Sequence, residues 1–196
     1  MRHLKEQLDW GAWVRRKERR AGSADPKGDD MATGSNGDQL QALVRDVERL
    51  KAERDIQRLI LEQFDTADSG DFDRQADLFA RAHVQYVDGD TVILDVTDRD
   101  AFRQAISSAT RIYEDGTPKA HHVVSNTIID IGESLHTAES RCYSTVFRAT
   151  EEFALQPIAC GVFHDRFHRD EQGWYFVARV GRMRLAGAPS PLGTTT

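Results

Sequence analysis

Asp165 is the residue whose position most demands a chemical explanation. In a strand over 161–168 one parity carries Gly161, Phe163, Asp165 and Phe167, and the other Val162, His164, Arg166 and His168. Successive side chains leave a strand on opposite faces, so the apolar set places Asp165 on the core side. A carboxylate there loses its hydration and needs either a proton or a partner. Two readings follow. Asp165 is a general base, or the orienter of a histidine, in a pocket. Alternatively it is a structural acid, hydrogen-bonded to backbone or to Arg179 or Arg182 on the next strand.

Histidine exchanges a proton near neutral pH and serves as acid or base. His121 and His122 are neighbours, so in a strand only one of them enters a pocket. The strand pattern does not choose between them. Val123, Ile129 and Ile131 share one parity, Val124, Asn126 and Ile128 the other, and a slip of one residue exchanges the two sets. A His–Asp pair at a pocket mouth suits removal of a proton alpha to a carbonyl, leading to isomerisation, elimination or aldol ring closure. The plainer reading is a histidine at the sheet surface or a subunit interface. Asp65, Asp68, Asp71 and Asp73 crowd the end of the first helix, which reads as a solvated turn with a cap. Tyr86, Asn126 and Tyr143 are able to hydrogen-bond a developing enolate oxygen, or they are ordinary packing and sheet-surface groups.

Helices and strands must position these groups. Leu40, Leu43, Val47 and Leu50, then Ile56, Leu59, Ile60 and Phe64 on a shifted phase, predict a long amphipathic helix over 39–67. Asp68-Ser69-Gly70-Asp71 ends it, and Asp71 caps a short helix over 72–80. Two short strands flank Asp88-Gly89-Asp90. Thr97 or Asp98 caps a third helix over 99–112. Four strand-like segments follow at 120–131, 136–149, 158–170 and 174–185, joined by connections short enough for antiparallel hairpins. With 150–157 as one of these loops, Cys160 falls beside Phe147 rather than Cys142, so no disulfide is expected. Three helices with a small hairpin among them, then a four-stranded meander, make an α+β fold. A long curved sheet under helices forms a cone whose mouth is a natural ligand pocket.

The chain has 196 residues, 39% of them hydrophobic and 30% charged, which suffices for one packed core. Its formal charge of −6 argues against a general nucleic-acid binder. No apolar run approaches the roughly 18 residues of a membrane span. No Gly-rich loop leads into a helix and no nucleophile elbow appears. Two cysteines are too few for structural zinc, and His164 and His168 share a strand face about 13 Å apart, too far to hold one ion. No metal and no cofactor is therefore expected. Residues 1–30 carry eight Lys/Arg against six Asp/Glu, with Trp10, Trp13 and a basic run over 15–20. They read as a disordered basic leader, or as an amphipathic helix for an acidic partner or membrane surface, and Met31 is an alternative start. Charged residues interrupt 1–13 where a signal peptide needs an apolar stretch, so a cytoplasmic protein with reduced thiols is expected. The organisation is a leader and linker over 1–38, a domain over 39–186 and a fraying tail over 187–196.

Several local patterns combine into a resemblance. They are Asp68-Ser69-Gly70-Asp71-Phe72, Leu78-Phe79-Ala80, His121-His122-Val123-Val124-Ser125-Asn126, and His164-Asp165-Arg166-Phe167 followed by Gly173-Trp174. Over about 39–186 the chain resembles the SnoaL-like branch of the nuclear transport factor 2-like superfamily. The resemblance implies a cone-shaped α+β barrel and a homodimer packed sheet against sheet. That superfamily holds scytalone dehydratase-like enzymes, ketosteroid isomerases, polyketide cyclases, small subunits of ring-hydroxylating dioxygenases and proteins without catalysis, so fold does not fix function. Scytalone dehydratase is similar at Asp68 and His122. Ala67, Val87 and Phe147 stand at or near the places of its two tyrosines and second histidine, which speaks against that same dehydration.

The implied activity is a cofactor-free isomerase, dehydratase or cyclase acting on a small hydrophobic, polyketide- or steroid-like molecule. His122, Asp68 and Asp165 would be its acid–base residues, with Tyr86, Asn126, Tyr143, Phe163 and Phe167 against the substrate. The alternative is a non-catalytic binding or scaffold subunit, in which the outward His164, Arg166 and His168 matter more than the pocket. A third reading is a ligand carrier. A pocket filled by side chains favours the scaffold, and an open one with unpaired His122 and Asp165 favours the enzyme.

Overall fold

The structure, a computed structural model, describes residues 36–151 and 153–186. The expected leader up to residue 35 and the tail over 187–196 lie outside the described residues. The chain divides into two compact units, residues 1–43 and 44–196. In the first unit the described residues, 36–43, are helical and exposed. The helix to which they belong, α1 (Asn36–Ser69), begins three residues before its predicted start. The rest of the fold belongs to the second unit.

After α1 come α2 (Phe72–Leu78), the hairpin β1 (His83–Asp88) and β2 (Thr91–Val96), and α3 (Arg99–Ala109). Four long strands follow: β3 (Ala120–Ile131), β4 (Thr137–Thr150), β5 (Phe153–Asp170) and β6 (Gly173–Ala186). All six strands form one curved sheet in the order β2-β1-β6-β5-β4-β3, which with the three helices makes the fold α+β. Neighbours run antiparallel except β1, which lies parallel to β6. The expected order of elements is thus present, and the parallel contact is what ties the early hairpin to the end of the meander.

Of the boundaries that differ from the sequence reading, those of α3 and β5 matter most here. α3 stops at Ala109 rather than 112. β5 starts at Phe153, so the turn shrinks from 150–157 to 151–152, and Cys160 pairs with Thr145 instead of lying near Phe147. Residues 154–157 are all exposed. A strand wetted on both sides shows no alternation, which removes the signal that marks it. Both cysteines are free, and the Thr145 hydroxyl lies 3.2 Å from the Cys160 sulfur.

Helix α1 packs through Ala52, Ile56, Ile60 and Phe64, one residue every four, against a core that includes Phe79, Phe102, Phe167 and Phe176. Fully burying each such aromatic side chain contributes on the order of 2–3 kcal/mol. The end of α1 is fixed by its backbone. Gly70 lies at φ +75°, the Asp71 N–H donates to the Thr66 carbonyl at 3.0 Å, and the Gly70 N–H donates to that of Ala67 at 3.3 Å. This is the paired closure that satisfies orphaned carbonyls at a helix C-terminus. The Asp71 side chain then accepts from the Arg74 N–H as the cap of α2, and Asp98 rather than Thr97 caps α3.

A methyl group on Gly70 would come within 3.1 Å of both the Gly116 carbonyl and the Ile112 side chain. The 110–119 loop therefore rests on this glycine before delivering the chain into β3. Gly70→Ala should lower unfolding stability by about 1–3 kcal/mol, from the left-handed φ and the close approach together. Urea denaturation of the two proteins measures the difference.

Candidate functional site

Asp68 stands in the last turn of α1, just before the glycine that closes it. Its Oδ2 accepts the backbone N–H of His122 at 2.8 Å, and its Oδ1 lies 2.5 Å from the ring Nδ1 of the same histidine. Helix end and strand start are thereby clamped at one carboxylate. Because Nδ1 faces a carboxylate it carries the proton, and the Nε2 lone pair is left for other work. The His122 ring leans on Phe64 at 5.3 Å between centroids. Asp68 also reaches the neighbouring residue: its Oδ2 is 3.2 Å from His121 Nδ1. The two rings differ in exposure, with His121 76% and His122 20% open to solvent. Adjacent strand residues were expected to exclude one another from a site, yet this carboxylate gathers both.

A bulge explains why parity was indecisive. The β3–β4 register shifts between Ser125 and Ile128, and Asn126 sits there at φ +52°. An extra residue flips the phase of a strand. Val124 before the bulge, and Ile129 and Ile131 after it, therefore join the same core, while Val123 is exposed. His122 shares the Val124 side.

The pair opens onto a groove of ≈ 560 Å³. Arg58, Leu61, Glu62, Phe64 and Asp65 of α1 line it, with Arg74 of α2 and Val124 of β3. Arg58, Leu61, Glu62, Asp65 and Asp68 recur at helical spacing on one face, a signal available in the sequence but not used. Arg74 is neutralised by Glu62, with Nη2 at 2.6 Å from Oε1. Three apolar side chains, Leu61, Phe64 and Val124, thus share the groove with charges of both signs.

Asp165 faces inward as its parity predicts, and there it takes the structural alternative. Arg179 donates Nε and Nη2 to its two oxygens at 2.7 and 2.8 Å, and both side chains are fully buried. With both oxygens engaged and no route to solvent, Asp165 is not placed to act as a base. Burial alone would lower the Arg179 pKa, but Asp165 more than offsets it, so the guanidinium stays charged. Its carbon lies 4.8–5.5 Å from the rings of Phe64, Phe79, Phe163 and Phe176, a cage that favours a cation. Nη1 makes no hydrogen bond. The Tyr86 phenol stands in the same field, pushed up by burial and drawn part of the way back by Arg179. Burial also pushes the Cys142 thiol up to about 12.

The remaining expected site residues are dispersed. Phe163 is half-buried between Phe64 and Tyr86. Phe167 is plain core, stacked at 4.7 Å on Phe176. Tyr143 points to the outward face beside Arg141, and Asn126 is exposed at the bulge, so neither reaches the groove. His164 also faces outward. Burial and the charges of Arg141, Arg182 and Arg184 hold its pKa down at about 4.

The family profile of the SnoaL-like domain matches residues 48–180, and the chain belongs to that family. No curated protein matches the sequence. Solved structures share the fold. A nuclear transport factor 2-like protein with a cystatin-like fold from Novosphingobium aromaticivorans is 20% identical, with a TM-score of 0.60 over 80% of this chain and 97% of that one. A scytalone dehydratase-like protein from the same organism is 23% identical, with a TM-score of 0.56 over 71% and 89%. A beta subunit assigned there to an aromatic-ring-hydroxylating dioxygenase is 11% identical, with a TM-score of 0.57 over 72% and 94%. Among the described residues no helix is long and apolar enough to cross a membrane.

Two outcomes follow from the buried charges. Arg179→Met strands the Asp165 carboxylate and should cost about 3–5 kcal/mol, whereas adding Asp165→Leu should recover most of the loss, as chemical denaturation would show. His164 holds its proton less tightly when folded than when unfolded. The unfolded chain thus binds the extra proton between the ordinary value near 6.5 and about 4, so stability should fall as pH drops through that window. Thermal melts of His164→Gln across the window should show a flatter decline.

Proposed function

We propose that this chain is a cofactor-free acid–base enzyme for a small hydrophobic carbonyl compound of polyketide- or steroid-like character. His122 Nε2 moves a proton at the carbon alpha to the carbonyl, and Asp68 fixes the tautomer and orientation of the ring. One observation carries this reading: a single carboxylate holds both the backbone and the ring of His122, at a groove whose lining includes Leu61, Phe64 and Val124. A fixed tautomer that leaves the second ring nitrogen unprotonated is what a general base requires. The resulting enolate leads to isomerisation, elimination or ring closure, according to the substrate. The scytalone dehydratase-like structure among the fold's relatives is consistent with this class of chemistry.

The second reading is a scaffold subunit, in the manner of the dioxygenase beta subunit that shares the fold. The observation in its favour is the close packing around Arg179. Aromatic rings surround Arg179, and a methyl group on Gly181 would come within 2.7 Å of the Tyr86 ring and 2.9 Å of Phe163. The acid–base reading places the chemistry in the outer groove, which leaves that packed interior undisturbed.

Exchange of the alpha hydrogens of 2-tetralone in deuterated water, followed by NMR, reports proton abstraction without knowledge of the natural substrate. The enzyme reading expects saturable exchange that His122→Ala lowers by about a hundredfold or more and Asp68→Asn lowers in part. Exchange no faster than in buffer leaves the scaffold reading.

A further inference from the structure

We propose that the N-terminal half of α1 is a docking surface for a second copy of this chain, through a short parallel two-stranded coiled coil. It stands apart from the acid–base reading, since its apolar residues precede the part of α1 that lines the groove. Leu40, Leu43, Val47 and Leu50 follow one another at steps of three, four and three. That is the spacing of a and d positions in a heptad repeat, with Leu40 and Val47 at a and Leu43 and Leu50 at d. The whole stretch is helical, and these four side chains, with Val44 beside them, are between 41% and 64% exposed. An apolar stripe open to water marks a surface that another molecule covers.

Over residues 49–56 the core takes the opposite side of the helix. Arg49 donates Nη1 to the Ile131 carbonyl at 2.9 Å, and Ala52 and Ile56 are buried. In the same heptad these are positions c, f and c, which a two-stranded coil turns outward. A partner on the a and d side therefore leaves the core packing undisturbed. The helix is also formed in advance, so a short seam does not have to offset the cost of helix nucleation.

Charge selects the partner. Asp46 at g and Lys51 at the following e stand five residues apart, and so do Glu53 at g and Arg58 at e. In a parallel pair of identical helices each g residue faces the following e residue of the other chain, so both sets bring opposite charges together. An antiparallel pair would set the acidic g positions against each other and the basic e positions likewise. Val47 at a with Leu at d favours two strands over three or four. Arg54 and Gln57, at the next a and d positions, end the apolar seam. The occupant that fits is the same helix of a second copy, running in the same direction.

The test places a cysteine at the seam of the full chain. Leu43→Cys, and as a control Arg45→Cys at the outward f position, both alter exposed residues, and thermal melts confirm that the variants fold. In a glutathione redox buffer the proposal expects Leu43→Cys to form at least tenfold more disulfide-linked dimer on a non-reducing gel than Arg45→Cys or the unaltered chain. Adding either Asp46→Lys or Lys51→Glu to Leu43→Cys sets like charges across the seam and should lower that dimer at least threefold. Mixing the two charge variants brings opposite charges together again and should recover the linkage as the mixed dimer, identified by mass spectrometry. Equal linkage at both cysteine positions would indicate random collision or association through another face, and would overturn the proposal. So would linkage indifferent to the charge changes. Absence of linkage would overturn it too, leaving the stripe to residues 1–30 of the same chain or to an unlike partner.

Discussion

A charge sits at the centre of this fold. Arg179 is fully buried, and everything around it answers that fact. Asp165, directly across the β5–β6 ladder, supplies the counter-charge through two parallel hydrogen bonds. Four aromatic faces from α1, the end of α2, β5 and β6 close around the guanidinium. Such a pair adds little to net stability compared with apolar replacements, but losing either partner is costly. It therefore fixes how the elements meet more than how tightly they hold. The strands must keep register for the bidentate contact to form, and α1 must present Phe64 at the right height.

Phe64 links this interior to the surface. Its ring touches Phe163 and the Arg179 cage on one side and the His122 imidazole on the other. The groove is thus backed by the most constrained part of the core, so that the ring behind His122 has little freedom to move. Rigid support of this kind is what an acid–base residue needs, since small errors in position cost much of the rate. The closure at Gly70 completes the frame, because it sets where α1 ends and hence where Asp68 can reach.

Much of this was legible in the sequence. Apolar spacing marked the helices, Asp71 announced its cap, and the alternation around Asp165 placed that residue inside. What parity could not supply was its role, because a buried acid next to an arginine and a buried acid in a pocket look the same from one strand. The choice between them lay in the register with β6. The rule that strand neighbours diverge admits only one histidine to a pocket, and the resemblance favours His122 over His121. The rule holds for the strand, but the long reach of a carboxylate from another element brings both rings together. The first residues of β5 extend into water, where no hydrophobic rhythm marks a strand. The exposed side of α1 that lines the groove carries no continuous apolar stripe, so only its helical spacing marks it in the sequence.

The bulge at Asn126 has a consequence for how such a protein changes over time. It splits β3 into two segments whose phases are set separately. The far segment, with Ile129 and Ile131, is locked to the core. The near segment carries both histidines and hangs from the 110–119 loop and the Asp68 clamp. A slip of one residue there would exchange the two imidazoles while leaving the far half in place. The strand is therefore a modular one: small changes in loop length could rewrite the edge that carries both histidines, trading Val124 for Val123 against the core, while Ile129 and Ile131 keep their places.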